Sequence, residues 1–72
     1  MEEITITTDF IKLDSLLKYS ALCGTGGEAK QVIQEGLVSV NGEVCTARGK
    51  KIFSGDTVSF EGQNIKVIHA DR

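Results

Sequence analysis

The feature that most constrains this chain is a change of hydrophobic period at Gly36. From Leu13 up to it apolar residues fall at helical spacing, and behind it they alternate. Leu13, Leu16, Leu17 and Ala21 stand at i, i+3, i+4 and i+8, the stripe of an amphipathic helix. This predicts a first helix from about Lys12 to Leu22, stopped by Gly24. Thr25-Gly26-Gly27-Glu28 has the form of a capping box. In it the Thr25 hydroxyl accepts a bond from the first turn and Glu28 reaches back to the amide of Thr25. Ala29, Val32 and Ile33 then predict a second helix over Gly26–Glu35, ended by Gly36. Two glycines in its first turn weaken it by ~1 kcal/mol each relative to alanine, so it must lean on the first helix.

Behind Gly36, Val38 and Val40 alternate with Ser39, and Asn41-Gly42 precedes Val44. An Asn-Gly pair between alternating apolar residues predicts a hairpin, because both turn residues need positive φ. A polar basic loop, Thr46 to Lys51, leads to a short strand at Ile52-Phe53. Thr57–Phe60 and Ile65–Ile68 are further strands, set off by turns at Ser54-Gly55-Asp56 and Glu61–Asn64. Ahead of the helices, Glu3 to Thr7 alternates β-branched apolar and polar residues, a strand with one buried face. Strand, two helices, then short strands predict an α+β fold. Residues 1–72 are expected to form a single domain, and such a domain buries only roughly 60% of its unfolded surface.

No apolar run approaches the ~18 residues that cross a bilayer. The first residues, Met1-Glu2-Glu3, are acidic where a secretory or mitochondrial presequence would be basic, so a cytoplasmic protein is expected. Cys23 and Cys45 form no C-x-x-C pair, and His69 is the one histidine. No zinc-ligand spacing exists, and neither a metal nor a cofactor is expected. The cysteines read as small apolar residues of a reducing compartment, with a disulfide between them left open. No Ser/His/Asp set, no base beside either cysteine and no distinct carboxylate pair is present, so no catalytic residue is assigned and no enzyme is expected.

The net charge of −2 argues against a simple nucleic-acid binder, but its distribution weakens the objection. Residues 1–11 hold three acids and no base, whereas residues 12–51 hold six bases and four acids. The densest part is Arg48-Gly49-Lys50-Lys51, with no acid between Val44 and Gly55. Arginine grips phosphate bidentately and lysine adds point charge. Lys12 and Lys18 fall on the first helix, Lys18 off its apolar stripe. Lys30 follows Gly24-Thr25-Gly26-Gly27 at the start of the second. A helix N-terminus offers unpaired amides to an anion, and glycine there lets a phosphate approach. The alternative is a tight turn that needs glycine for positive φ and packing. If Lys12, Lys18, Lys30 and the basic loop share one face, they form a phosphate-tracking surface. Phe10, Phe53 and Phe60 fit core positions, which leaves Tyr19 as the aromatic residue free to stack.

Lys12-Leu13-Asp14 with Leu16-Leu17, Gly27-Glu28-Ala29-Lys30, Ile33-Gln34-Glu35-Gly36, Val38, Val40-Asn41-Gly42-Glu43, Lys51 and Gly55-Asp56-Thr57-Val58 occur in that order. Over about residues 10–60 this resembles the RNA-binding domain named after small-subunit ribosomal protein S-four. Gly26 to Lys30 and Arg48 to Lys51 look like the small stand-alone bacterial proteins of the YbcJ/YaaA type. The resemblance implies an αL motif, two helices packed on a small antiparallel sheet, with RNA across the helices and the adjoining loop. It implies RNA-binding roles for Lys12, Thr25, Gly26, Lys30, Arg48, Lys50 and Lys51, to which the solvent-facing position of Lys18 on the first helix adds an eighth candidate, and Asn41 and Gly42 match the family turn, read as structural. The chain departs from the larger, more basic members, which often carry arginine where it has Lys12 or Gly27.

The expected function is therefore non-catalytic binding of structured RNA, ribosomal or tRNA-like, by a ribosome-associated bacterial monomer. The alternative is a protein-interaction adaptor on ribosomal or RNA-processing machinery. A ubiquitin-like sulfur carrier shares the Asn-Gly and Gly-Asp turns, but the sequence ends Ala70-Asp71-Arg72 rather than in Gly-Gly.

Overall fold

The computed structural model describes residues 2–70. Two helices pack against a mixed sheet, and a separate two-stranded ribbon lies beside them. The elements run β1 (Glu2–Ile6), β2 (Phe10–Lys12), α1 (Leu13–Tyr19), α2 (Gly26–Gln34), β3 (Val38–Val40), β4 (Glu43–Val44), β5 (Lys51–Phe53), β6 (Thr57–Phe60) and β7 (Gln63–His69). The main sheet has the order β1-β7-β6-β3-β4, and β2 pairs with β5 in the ribbon. No helix among the described residues is long and apolar enough to cross a membrane.

One core unites these parts. Leu13, Leu16 and Leu17 of α1 and Ala29 and Ile33 of α2 are buried, as are Val38, Val58, Phe60, Ile65 and Val67 of the sheet and Ile52 of the ribbon. The alternation behind Gly36 does what it predicts: Val38, Val40, Val58 and Phe60 turn inward, while Ser39, Thr57 and Ser59 do not.

The helix ends refine the reading. Gly36 sits at φ +78° after α2, its amide bonded to the Ile33 carbonyl and the Leu37 amide to that of Val32. This is a Schellman stop, where glycine is favoured. α1 is shorter than expected. It ends at Tyr19 because Ala21, not Gly24, takes the left-handed conformation at φ +65°. Ala21 is accordingly exposed and leaves the predicted stripe. The spacing i+8 matched the helical period, but the chain had already turned. At the start of α2, the Thr25 hydroxyl accepts the Glu28 amide at 3.1 Å, as expected. The Glu28 carboxylate reaches one residue further back than a capping box requires, to the Gly24 amide at 2.9 Å.

The Asn41-Gly42 hairpin has φ of +51° and +87° at its two turn residues and pairs Val40 with Glu43. Asn41 does more than turn the chain. Its amide nitrogen donates to the Asp56 carboxylate at 3.1 Å, and its side-chain oxygen accepts the Thr57 amide at 2.9 Å. The other Asp56 oxygen accepts the Phe53 amide at 2.9 Å. The hairpin, the Gly55-Asp56 turn and the end of β5 are thus one hydrogen-bonded knot, which agrees with a structural role for Asn41.

The sheet corrects one expectation. It is mixed, because β1 runs parallel to β7 with Ile4 opposite Val67, while β3–β4, β3–β6 and β6–β7 are antiparallel. Antiparallel neighbours announce themselves through short turns between them. The two strands of this parallel pair stand near opposite ends of the sequence, and nothing local encodes their direction.

Candidate nucleic-acid interface

The ribbon gathers the basic residues. β2 and β5 are antiparallel, with Phe10 opposite Phe53, Ile11 opposite Ile52 and Lys12 opposite Lys51. Side chains alternate along a strand. Ile52 is fully buried and Ile11 packs on the core, so Phe10, Lys12, Lys51 and Phe53 share the outer face. Lys12 is also the N-cap of α1, in extended conformation. The basic loop is tied to this junction by its carbonyls: Lys50 accepts the Leu13 amide at 2.9 Å, and Arg48 accepts the Asp14 amide at 3.1 Å. Two free amides at the start of α1 are thereby satisfied by the loop backbone. The consequence is positional. Arg48, Lys50 and Lys51 are held against the same helix start that carries Lys12, and all four are exposed.

Two shallow grooves flank the ribbon. One is lined by Thr8, Asp9, Phe10, Ile11, Lys12 and Ser15. The other, about 440 Å³, runs between the β3–β4 hairpin and β5 and includes Thr46, Lys50, Lys51 and Phe53. Lys18 and Tyr19 line a continuation with Ile11 and Ser15, so Lys18 extends the Lys12 edge along α1. Tyr19 is exposed, as expected for the residue free to stack.

Thr25, Gly26 and Lys30 are exposed at the opening of α2, and neither ribbon groove reaches them. Thr25 already caps the helix, and the Glu28 carboxylate occupies the amide of Gly24. The glycines there are not demanded by the fold. Gly24, Gly26 and Gly27 are absent from the positive-φ set, and a Cβ on Gly26 would meet nothing within 4 Å. The same is true of Gly49, between Arg48 and Lys50. The tight-turn explanation for these glycines therefore has no packing or torsional support, and the backbone of Gly26 is exposed, whereas the Gly24 amide is held by Glu28.

Phe10 and Phe53 are where sequence reasoning missed. Phe60 is buried as expected, but Phe53 is 48% exposed and Phe10 half-buried. Their ring centroids lie 5.9 Å apart at 52°, and the Lys51 ammonium stands 5.0 Å from the Phe10 centroid. The signal was in the parity: each phenylalanine lies two residues from a lysine, with an isoleucine between. Once the isoleucines point inward, the phenylalanines must accompany the lysines.

Nothing here suggests a nucleophile. Both cysteines are free, Cys23 buried and Cys45 half-buried. Burial pushes the Cys23 thiol above its ordinary value, and the Glu28 and Glu61 carboxylates add to the rise. It therefore stays protonated at neutral pH, and the thiol is a poor nucleophile. Among the described residues no group of three His, Cys, Asp or Glu could hold a metal. Asp71 and Arg72, part of the sequence end weighed for a sulfur carrier, lie outside the described residues.

Comparison with known proteins supplies the family. The S4 domain model matches residues 4–68. YbcJ of Escherichia coli (strain K12) is 41% identical over 58 residues, covering 81% of this chain and 83% of the relative. RlbA of Bacillus subtilis (strain 168), named as a "probable ribosome maturation protein", is 41% identical over 59 residues, covering 82% of this chain and 83% of the relative. The solution structure of E. coli YbcJ, described as revealing an αL motif involved in RNA-binding, superposes with a TM-score of 0.73 at 36% identity. That superposition covers 94% of this chain and 87% of YbcJ. With the helix pair packed on the sheet and the basic loop held at the start of α1, the chain belongs to the S4 domain family and has its αL fold.

Proposed function

We propose that this chain is a non-catalytic RNA-binding module that recognises structured RNA, ribosomal or tRNA-like, through its phosphates. The observation that carries the reading is the junction of β2, α1 and the basic loop. Lys12 and Lys51 face each other across the ribbon, and the carbonyls of Arg48 and Lys50 anchor the loop to the first amides of α1. The backbones of four cationic residues are thereby fixed at one edge. Like charges directly opposite each other destabilise a strand pair, and a bound phosphate relieves that cost. Lys18 extends the track along α1. Thr25, Gly26 and Lys30 form a second contact, where open glycine backbone admits a phosphate beside the helix start. The family relatives support the same reading, since YbcJ is described with an RNA-binding motif and RlbA is named for ribosome maturation.

Titrating the purified chain into a fluorescently labelled ribosomal RNA hairpin tests this by anisotropy. Binding is expected at low salt and should weaken steeply as salt rises. The adaptor alternative draws on exposed Leu37 and Val44, which are apolar, although Val44 lines the same groove as Lys50 and Lys51. No hairpin binding at any salt, together with a protein partner that stays bound after nuclease treatment, overturns the RNA reading in its favour.

A further inference from the structure

We infer that the Phe10–Phe53 pair is a platform on which an unpaired nucleobase stacks, with its neighbouring phosphates taken by Lys12 and Lys51. The inference rests on the RNA-binding reading above and names the kind of RNA feature that surface takes. Phe53 is 48% exposed although the adjoining Ile52 alone anchors β5 in the core. Its side chain therefore lies outside the buried core, and about half of the residue meets water. The Lys51 ammonium stands over the Phe10 ring, 5.0 Å from its centroid, so Phe10 is engaged by a cation while Phe53 keeps the more open ring surface. The tilted contact at 5.9 Å and 52° holds the two rings together as one apolar surface.

The surroundings decide the occupant. An apolar protein surface would bury Lys12 and Lys51 without giving them counter-charges. A nucleotide supplies both parts, a flat π-face for the ring and an anion for the lysines. Stacking on an aromatic side chain is how RNA-binding surfaces hold splayed-out bases, and it tolerates any base identity. Such a base is available in a bulge or loop and absent from an uninterrupted duplex. The platform therefore predicts that this chain prefers structured RNA with an unpaired nucleotide beside a stem.

The test compares two RNAs with the same stem, one continuous and one carrying a single-nucleotide bulge, by anisotropy against the full chain. Phe53→Ala is expected to lower affinity for the bulged RNA by about 5- to 150-fold, the usual range for losing one stacked base. Its affinity for the continuous stem should stay within about twofold. Phe53→Leu, which keeps an apolar side chain without a π-face, should lose as much as the alanine variant, and Phe53→Trp should retain binding. Circular dichroism melts check that all three variants fold. If Phe53→Ala binds the bulged RNA as wild type does, loses equally on both RNAs, or is rescued by leucine, the platform is wrong while RNA binding stands. If the wild-type chain binds neither RNA, the RNA reading itself falls and the platform with it.

Discussion

Ile52→Ala is expected to destabilise the protein by about 2–5 kcal/mol, the usual cost of truncating a fully buried isoleucine. Ile52 is 0% exposed and is the centre of a three-residue strand whose flanking side chains, Lys51 and Phe53, both point out. A two-stranded ribbon is marginal in water unless it packs on something else. Ile52 and its half-buried partner Ile11 supply that packing. Domains of this length have about 4–11 kcal/mol of stability, so the loss is a large fraction of the whole. Urea denaturation measures it as a lower midpoint with an unchanged slope. The variant should also bind RNA more weakly at temperatures where it remains folded, although it alters no charge, because the lysines depend on the ribbon for their placement. Phe53→Ala, on the outer face, should shift the urea midpoint far less. Equal midpoint shifts for the two substitutions would show that the ribbon is not anchored as described.

The second large effect concerns charge. Arg48→Ala, Lys50→Ala and Lys51→Ala together should lower affinity for structured RNAs by roughly a hundredfold near ~0.1 M salt. The figure takes about 1 kcal/mol for each exposed cation paired with a phosphate, with tenfold per 1.4 kcal/mol. The loss should be similar across unrelated RNAs, since phosphate contacts carry no sequence information. The salt slope should also flatten, by about 0.7 for each phosphate no longer neutralised on single-stranded regions and about 0.9 on duplex. The fold should persist, because the loop is tied to α1 through the carbonyls of Arg48 and Lys50, which the substitutions retain. Unchanged affinity in the triple variant would remove the loop from the binding surface.

Much of this architecture is legible in the residues, and the parts that are not have identifiable causes. α2 and its stop at Gly36, the Asn41-Gly42 turn and the inward valines of β3 follow from period and turn chemistry, which act over a few residues. The early end of α1 does not, because Ala21 adopts at φ +65° a conformation usually left to glycine, while the nearby Gly24 does not use its freedom. The parallel β1–β7 pair escapes because its strands meet only in three dimensions. β2 escapes for another reason: Phe10-Ile11-Lys12 is three residues long and runs directly into a helix. With β2 unrecognised, Lys12 reads as a helix residue rather than the cross-strand partner of Lys51, and Phe10 and Phe53 read as core. The basic residues of the site are visible in the sequence. The reason they stand at one edge is a backbone arrangement that joins residues 10–14 to residues 48–53.

Mapping amide chemical shifts of the labelled chain on addition of a ribosomal RNA hairpin tests the central claim most directly. The account predicts that the largest changes fall on Phe10 to Lys18 and Thr46 to Phe53, with a second set on Gly24 to Lys30. Ser39, Thr57, Ser59 and Lys66 of the main sheet should stay nearly still. Perturbations centred on those sheet residues, with the ribbon and basic loop unmoved, would contradict it.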